Sequence, residues 1–175
     1  KQMFEFPVLT FDELGTAGDY KFYYVVLDNE EYFGGMTPYT SNAIWDIERF
    51  AFFSKAVLRT MPIIDFRADV IHCHDWQTGL VPVYLDHFRF AGEYYQGIKT
   101  VMTIHNLKFQ GVWGTKDVRN IVGLPEYYFA PDKLEAYHDA NLLKGGIVYA
   151  DKVTTVSNTY AEEIKMPFYG EKLDG

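Results

Sequence analysis

Two side chains of opposite chemical character stand out in this sequence, the carboxylate of Asp75 and the imidazole of His105, each closing a short apolar run. Asp75 belongs to HCHDWQTGL, residues 72–80. It sits where a strand would turn into a helix, and two roles suit it there. One is an N-cap, with the carboxylate accepting a backbone N–H of the first helical turn. The other is a charge aimed into a cleft, where it grips a ligand hydroxyl or steadies a developing positive charge. The roles are compatible, because a cap sits at the cleft edge. His105 and Asn106 belong to KTVMTIHNLKFQG, residues 99–111. Asn suits a plain turn at that point. A neutral His and Asn at the rim of a sheet would equally supply the donors and acceptors a sugar needs. Ser157-Asn158, in VTTVSNTYAEEI, reads first as the cap of the helix that follows.

His72-x-His74-Asp75 also has the look of a metal site, since two His on one face of a strand can bind zinc and a carboxylate can complete the set. Three features count against it. Asp75 would point to the opposite face of the strand. Trp76-Gln77 follow where a binuclear hydrolase requires a further Asp-His pair, and His87, His105 and His138 show no ligand spacing. No metal is therefore expected. The devices of several other classes are also missing: there is no G-x-x-x-x-G-K-[ST], no G-x-G-x-x-G after a strand and no G-x-S-x-G.

The elements that must position Asp75 and His105 follow from hydrophobic period and turn chemistry. Met3–Leu9 and Lys21–Leu27 read as strands with a turn at Gly15, Gly18 and Asp19, and residues 29–41 read as a loop. Ile44, Ile47, Ala51 and Leu58 share one helical stripe that Ser41 or Asn42 would cap and Pro62 would end. Then strands alternate with helices: strand 69–74, helix 78–88, strand 99–104, an irregular stretch 106–139 with a helical turn near 117–122, helix 141–149, a buried strand 152–156 and a helix from Thr159. Gly145-Gly146 inside a helix costs about 1 kcal/mol per Gly relative to Ala, so a close approach to a neighbour is expected there. This grammar predicts an α/β domain with a mostly parallel sheet and helices on both faces. Ligands of such sheets bind beyond the C-terminal ends of the strands, which puts Asp75, His105 and Ser157 along one edge.

Composition bounds the functional classes. The chain has 175 residues, enough for one domain, with 48% apolar residues and no apolar run long enough to cross a bilayer. A net charge of −8 argues against nucleic acid and against anionic membranes as partners. Cys73 is the only cysteine, so no internal disulfide can form, and with no secretory signal visible a cytoplasmic location is expected. The 14 Tyr, 14 Phe and 3 Trp read mainly as core fillers, with sugar-stacking platforms as their other use.

Four strings, in order, resemble the N-terminal domain of bacterial glycogen synthases and plant starch synthases: ERFAFFSKAVL (48–58), DVIHCHDWQTGL (69–80), TIHNLKFQG (103–111) and YADKVTTVSNTYAEEI (149–164). The resemblance implies a Rossmann-like, acceptor-side half of a GT-B glycosyltransferase. It implies retaining transfer of glucose from ADP-glucose or UDP-glucose to the non-reducing end of an α-1,4-glucan. Asp75 and His105 carry over to the cleft near the transferred glucose and acceptor, with Asn106, Trp76 and Gln110 as substrate-binding neighbours. No cofactor and no metal are implied. On the same ground residues 1–175 are a single truncated domain: a first strand with a Lys-x-Gly-Gly loop would precede them and a nucleotide-sugar domain would follow. Such a piece is expected to transfer no glucose alone and to self-associate through an exposed sheet edge. The segment 33–39 departs from the family pattern, which commonly carries an Arg and a Tyr-Gly pair there. A metal-dependent hydrolase and a non-catalytic carbohydrate-binding domain are the alternatives.

Overall fold

The computed structural model of the chain describes residues 8–17, 20–35 and 37–174. The framework is a three-stranded parallel sheet in the order β3-β4-β8, formed by β3 (Val70–His74), β4 (Lys99–Ile104) and β8 (Lys152–Thr155). Its register pairs His74 with Thr103 and Thr103 with Thr154, so the three strands end together. Helix α2 (Ala43–Ile63) precedes β3, α3 (Leu80–Arg89) connects β3 to β4, and α5 (Leu142–Tyr149) leads into β8. The α/β architecture with a parallel sheet is the one the alternating grammar implies.

Side chains divide cleanly between the two faces of this sheet. Cys73, Thr100, Met102 and Ile104 are buried on one face. Helix α5 approaches that face closely: a Cβ on Gly146 would stand 2.5 Å from Met102 Cε and 3.0 Å from Gly79 Cα, and one on Gly145 would stand 2.9 Å from Leu134 Cγ. The close approach expected for the glycine pair is therefore present, and it places α5 against both the sheet and the start of α3. Leu58 of α2, Val83 of α3 and Leu142 and Leu143 of α5 are fully buried in the same core. Each such side chain contributes about 1.5–3 kcal/mol of burial. The opposite face carries a polar row: Thr103 Oγ1 lies 2.6 Å from His72 Nε2 and 2.7 Å from Thr154 Oγ1.

Several local expectations need correction. Of the strand expected at 3–9, residues 3–7 lie outside the described residues, as do Gly18 and Asp19 of the expected turn. The strand observed is β1 (Val8–Ala17), paired antiparallel with β2 (Tyr20–Leu27), and Gly15 sits inside it at a register irregularity. Thr10, Asp12 and Glu13 break the apolar pattern that marks a strand in the sequence. A one-turn helix, α1 (Glu30–Phe33), capped by Asn29, lies within the expected loop. The stretch 106–139 is more regular than its composition suggests. It holds β5 (Val112–Gly114), α4 (Thr115–Val122), β6 (Glu135–Ala136) and, ending at Asn141, β7 (Asp139–Asn141). The strands form a small antiparallel sheet in the order β5-β7-β6. Strand β8, expected to be buried, is exposed over Lys152–Thr154, and among the described residues it pairs on one side only, with β4.

The caps behave as their chemistry dictates. Asn42 caps α2 and Asn141 caps α5, each through a side chain accepting a backbone N–H. Ser157 caps the last helix, α6 (Asn158–Glu163), in the same way. Among the described residues no helix is long and apolar enough to cross a membrane.

Candidate functional site

Asp75 and His105 emerge side by side at the carboxyl ends of β3 and β4. The backbone N–H of Asp75 donates to the carbonyl of Thr103 at 3.0 Å, extending the ladder by one residue. The chain then breaks sharply, with Asp75 at φ 55° and ψ −172°. That region is nearly reserved for glycine and costs on the order of 1–3 kcal/mol for other residues. The Asp75 side chain offsets part of that cost. Its Oδ1 accepts the backbone N–H of His105 at 2.7 Å and that of Asn106 at 3.3 Å. The carboxylate therefore ties the two strand ends together, and it makes no capping bond to the 3-10 turn Trp76–Thr78 that follows. Of the two roles open to Asp75 in the sequence, the cap is not formed. Oδ2 accepts no protein donor among the described residues.

A pocket of about 550 Å³ opens beside this carboxylate, lined by Tyr39, Asp46, Asp75, Trp76, Gln77, Asn106 and Phe109. Trp76 is a buried wall, packed edge-on against Phe50 at 5.1 Å between ring centroids. Tyr39 and Phe109 are more than half exposed and offer open ring faces. The Tyr39 hydroxyl accepts from Gln77 Nε2 at 2.6 Å. No Lys or Arg lines the pocket. Its chemistry is two carboxylates, Asp75 and the Arg49-paired Asp46, with amide and hydroxyl dipoles and aromatic faces, a combination that matches a neutral polyhydroxylated ring and offers nothing to a phosphate.

Three of the five sequence candidates share this pocket: Asp75, Trp76 and Asn106. Asn106 Oδ1 accepts the N–H of Lys108, which shapes the loop after β4. His105 stands at the rim, its Nε2 3.0 Å from His74 Nδ1. Gln110 lies apart from the pocket with its amide already engaged. Its Nε2 donates to the carbonyls of Leu107 and Glu171, and its Oε1 accepts from Asn141 Nδ2. Tyr39, Asp46, Gln77 and Phe109 were missed; the density of aromatics pointed in general to residues like Tyr39 and Phe109, and nothing pointed to Asp46 or Gln77.

The three histidines form a row, with ring centroids 4.2 Å apart for His72 and His74 and 5.2 Å apart for His74 and His105. Burial holds the pKa of His74 below its ordinary value, neighbouring His72 and His105 push the same way, and Asp75 opposes them. Their nitrogens meet one another and Thr103, while Asp75 turns to backbone N–H groups. Among the described residues no group of three or more His, Cys, Asp or Glu side chains converges as a metal site would. The Cys73 thiol is pushed up to about 12 by burial, with a bond to Thr78 opposing.

The family model described as the starch synthase catalytic domain matches residues 4–175. This chain belongs to that family. Within it, the chain is 66% identical over 157 residues to a glycogen synthase of Lachnospira eligens, covering 88% of this chain and 32% of that protein. It is 65% identical over 153 residues to a glycogen synthase of Lachnoclostridium phytofermentans, covering 87% of this chain and 32% of that protein. Among solved structures it is similar to the catalytic domain of starch synthase IV from Arabidopsis thaliana, bound to ADP and acarbose. That likeness has a TM-score of 0.76 and 28% identity, over 94% of this chain and 34% of that one. The chain thus spans about a third of the length of the glycogen synthases it matches, and its parallel sheet is that of a GT-B N-terminal domain in this family.

Proposed function

We propose that the chain forms the acceptor-side wall of a retaining glucosyltransferase that moves glucose from ADP-glucose or UDP-glucose to an α-1,4-glucan, in the cytoplasm. The observation that carries this reading is the Asp75 carboxylate, locked by His105 and Asn106 with one oxygen left free beside an aromatic-walled pocket that no Lys or Arg lines. Retaining transfer passes through a positively charged sugar, which a fixed carboxylate stabilises at no cost of reorganisation. His105 and Asn106 supply hydrogen bonds that orient sugar hydroxyls, and Trp76, Tyr39 and Phe109 supply apolar faces for the ring C–H groups. Gln110 acts through the loop, bracing residues 107–110 rather than touching substrate.

The departing diphosphate needs cationic or N–H donors, and the pocket lining contains no basic side chain. Those donors come from a second domain, and the 175-residue chain alone therefore transfers nothing. The test uses the full-length protein with ADP-glucose or UDP-glucose and labelled glycogen. Wild-type protein transfers label, whereas Asp75→Asn is slowed about 100-fold or more at similar glucan affinity. An Asn variant as fast as wild type would remove the carboxylate from the chemistry. Turnover by the 175-residue chain would show that the donor site lies within it.

A further inference from the structure

Arg49 is 2% exposed, on the buried side of α2. Its guanidinium donates to the carbonyl of Tyr32 from Nε at 2.7 Å, to that of Pro38 from Nη1 at 3.4 Å and to that of Thr37 from Nη2 at 3.4 Å. Nη1 also bonds Asp46 Oδ1 at 3.1 Å. Asp46, 5% exposed, accepts the backbone N–H of Thr40 at 2.9 Å and the Thr40 hydroxyl at 3.0 Å. Apart from the pair itself, these hydrogen-bond partners are Tyr32, in α1, and Thr37, Pro38 and Thr40 after it. A buried ion pair is weak evidence for stability, because well-packed apolar residues serve a core as well or better. What this pair supplies is geometry. It satisfies the carbonyls and the N–H that an irregular segment leaves unpaired, and it does so from a rigid helix.

The strapped segment ends at Tyr39, whose ring edges the Asp75 pocket and whose hydroxyl meets Gln77. We propose that Arg49 and Asp46 are positioning residues that hold residues 37–40 across the pocket mouth, so that Tyr39 is fixed as a wall for a glucan ring before the glucan arrives. The proposal rests on the sugar reading of the pocket. A wall ordered in advance spares the ligand the cost of ordering it. Released from the strap, a segment holding Gly34 and Gly35 samples many conformations.

The test compares the full-length protein with Asp46→Leu/Arg49→Met, which removes the pair together and so avoids stranding one buried charge. Expected are an unfolding midpoint near wild type, an amide of Thr40 that exchanges at least about tenfold faster because it loses the Asp46 acceptor, and maltohexaose affinity about tenfold weaker. In a Tyr39→Ala background the same double change has no further effect on affinity, because both act through one ring. Additive losses, or unchanged exchange in the segment, overturn the proposal. Should the double variant not fold, Arg49→Lys keeps a charge beside Asp46 but cannot span all three carbonyls. Faster exchange of the Thr40 amide supports the strap, and wild-type exchange sinks it. Absence of maltohexaose binding by wild-type protein overturns the sugar reading and the role of Tyr39 with it. Binding with additive losses overturns only the role given to Arg49 and Asp46.

Discussion

A Cβ on Gly111 would stand 2.3 Å from Cε3 of Trp76. Gly111 also has φ +64°, so two separate constraints demand glycine there. The contact lets the loop after β4 lie flat on the indole that forms the pocket floor. Gly111→Ala meets both the left-handed backbone penalty and overpacking against a buried ring, together about 2–4 kcal/mol. Urea unfolding measures it. A midpoint unchanged from wild type would mean that the loop and the indole are not in contact in solution.

Asp75 separates structure from chemistry in a single position. Asn keeps an oxygen able to accept from His105 and Asn106, and it tolerates positive φ at least as well as Asp. Asp75→Asn is therefore expected to change stability by less than about 1 kcal/mol, whereas Asp75→Ala loses both bonds and costs about 1–3 kcal/mol. Thermal or urea unfolding of the two variants decides this. Equal stability for Ala and Asn would show that the bridge between the strand ends contributes nothing to the fold.

His74 gives the site a pH dependence of known sign. Its folded pKa lies below the ordinary 6.5, chiefly through burial, with His72 and His105 adding to the effect. Between the folded value and 6.5 the unfolded chain binds more protons than the folded one, so stability rises with pH across that window. Acidification through it weakens the fold at His74. His74→Gln removes this contribution, and its unfolding midpoint is expected to decline less steeply below about pH 6.5 than that of wild type. A steeper or identical decline contradicts the assignment, as does an imidazole resonance of His74 titrating above 6.5.

How much of this was legible in the sequence depended on whether one stretch of chain carried the whole signal. Helix α2 was plain because its stripe, its Asn42 cap and Pro62 all lie within it. Strand β4 was plain because Val101, Met102 and Ile104 form an apolar run bounded by turn residues. The side-by-side placement of Asp75 and His105 followed from the parallel reading alone, since parallel strands share an end. By contrast, β5, β6 and β7 are two or three residues long, too short for any period. Their pairing is decided by contacts from outside them, such as Gln110, which holds the amide of Asn141 in β7. The third strand was misjudged as buried because its β-branched Val153, Thr154, Thr155 and Val156 suit a strand whether it is covered or open. Tyr39 was invisible as a pocket wall because its place is set by Arg49 and Asp46 on another element.

The outer edge of β3 carries the last prediction. Strand β3 pairs only with β4, so its other edge has no strand partner among the described residues. Beside it runs a groove of about 480 Å³ whose lining includes Phe53, Val57, Met61, Phe66 and Val70. Phe66 and Val70 are half exposed. Unpaired backbone groups next to apolar surface template pairing with another strand. The isolated 175-residue chain is accordingly expected to self-associate as its concentration rises through the micromolar range. Val70→Lys, at an exposed position where the charge stays solvated, should shift the equilibrium back towards monomer with little loss of stability, because charges on an edge strand discourage pairing. Sedimentation equilibrium measures both. A wild-type chain that remains monomeric throughout, or a lysine variant that associates as strongly as wild type, would show that this edge is not what joins the copies.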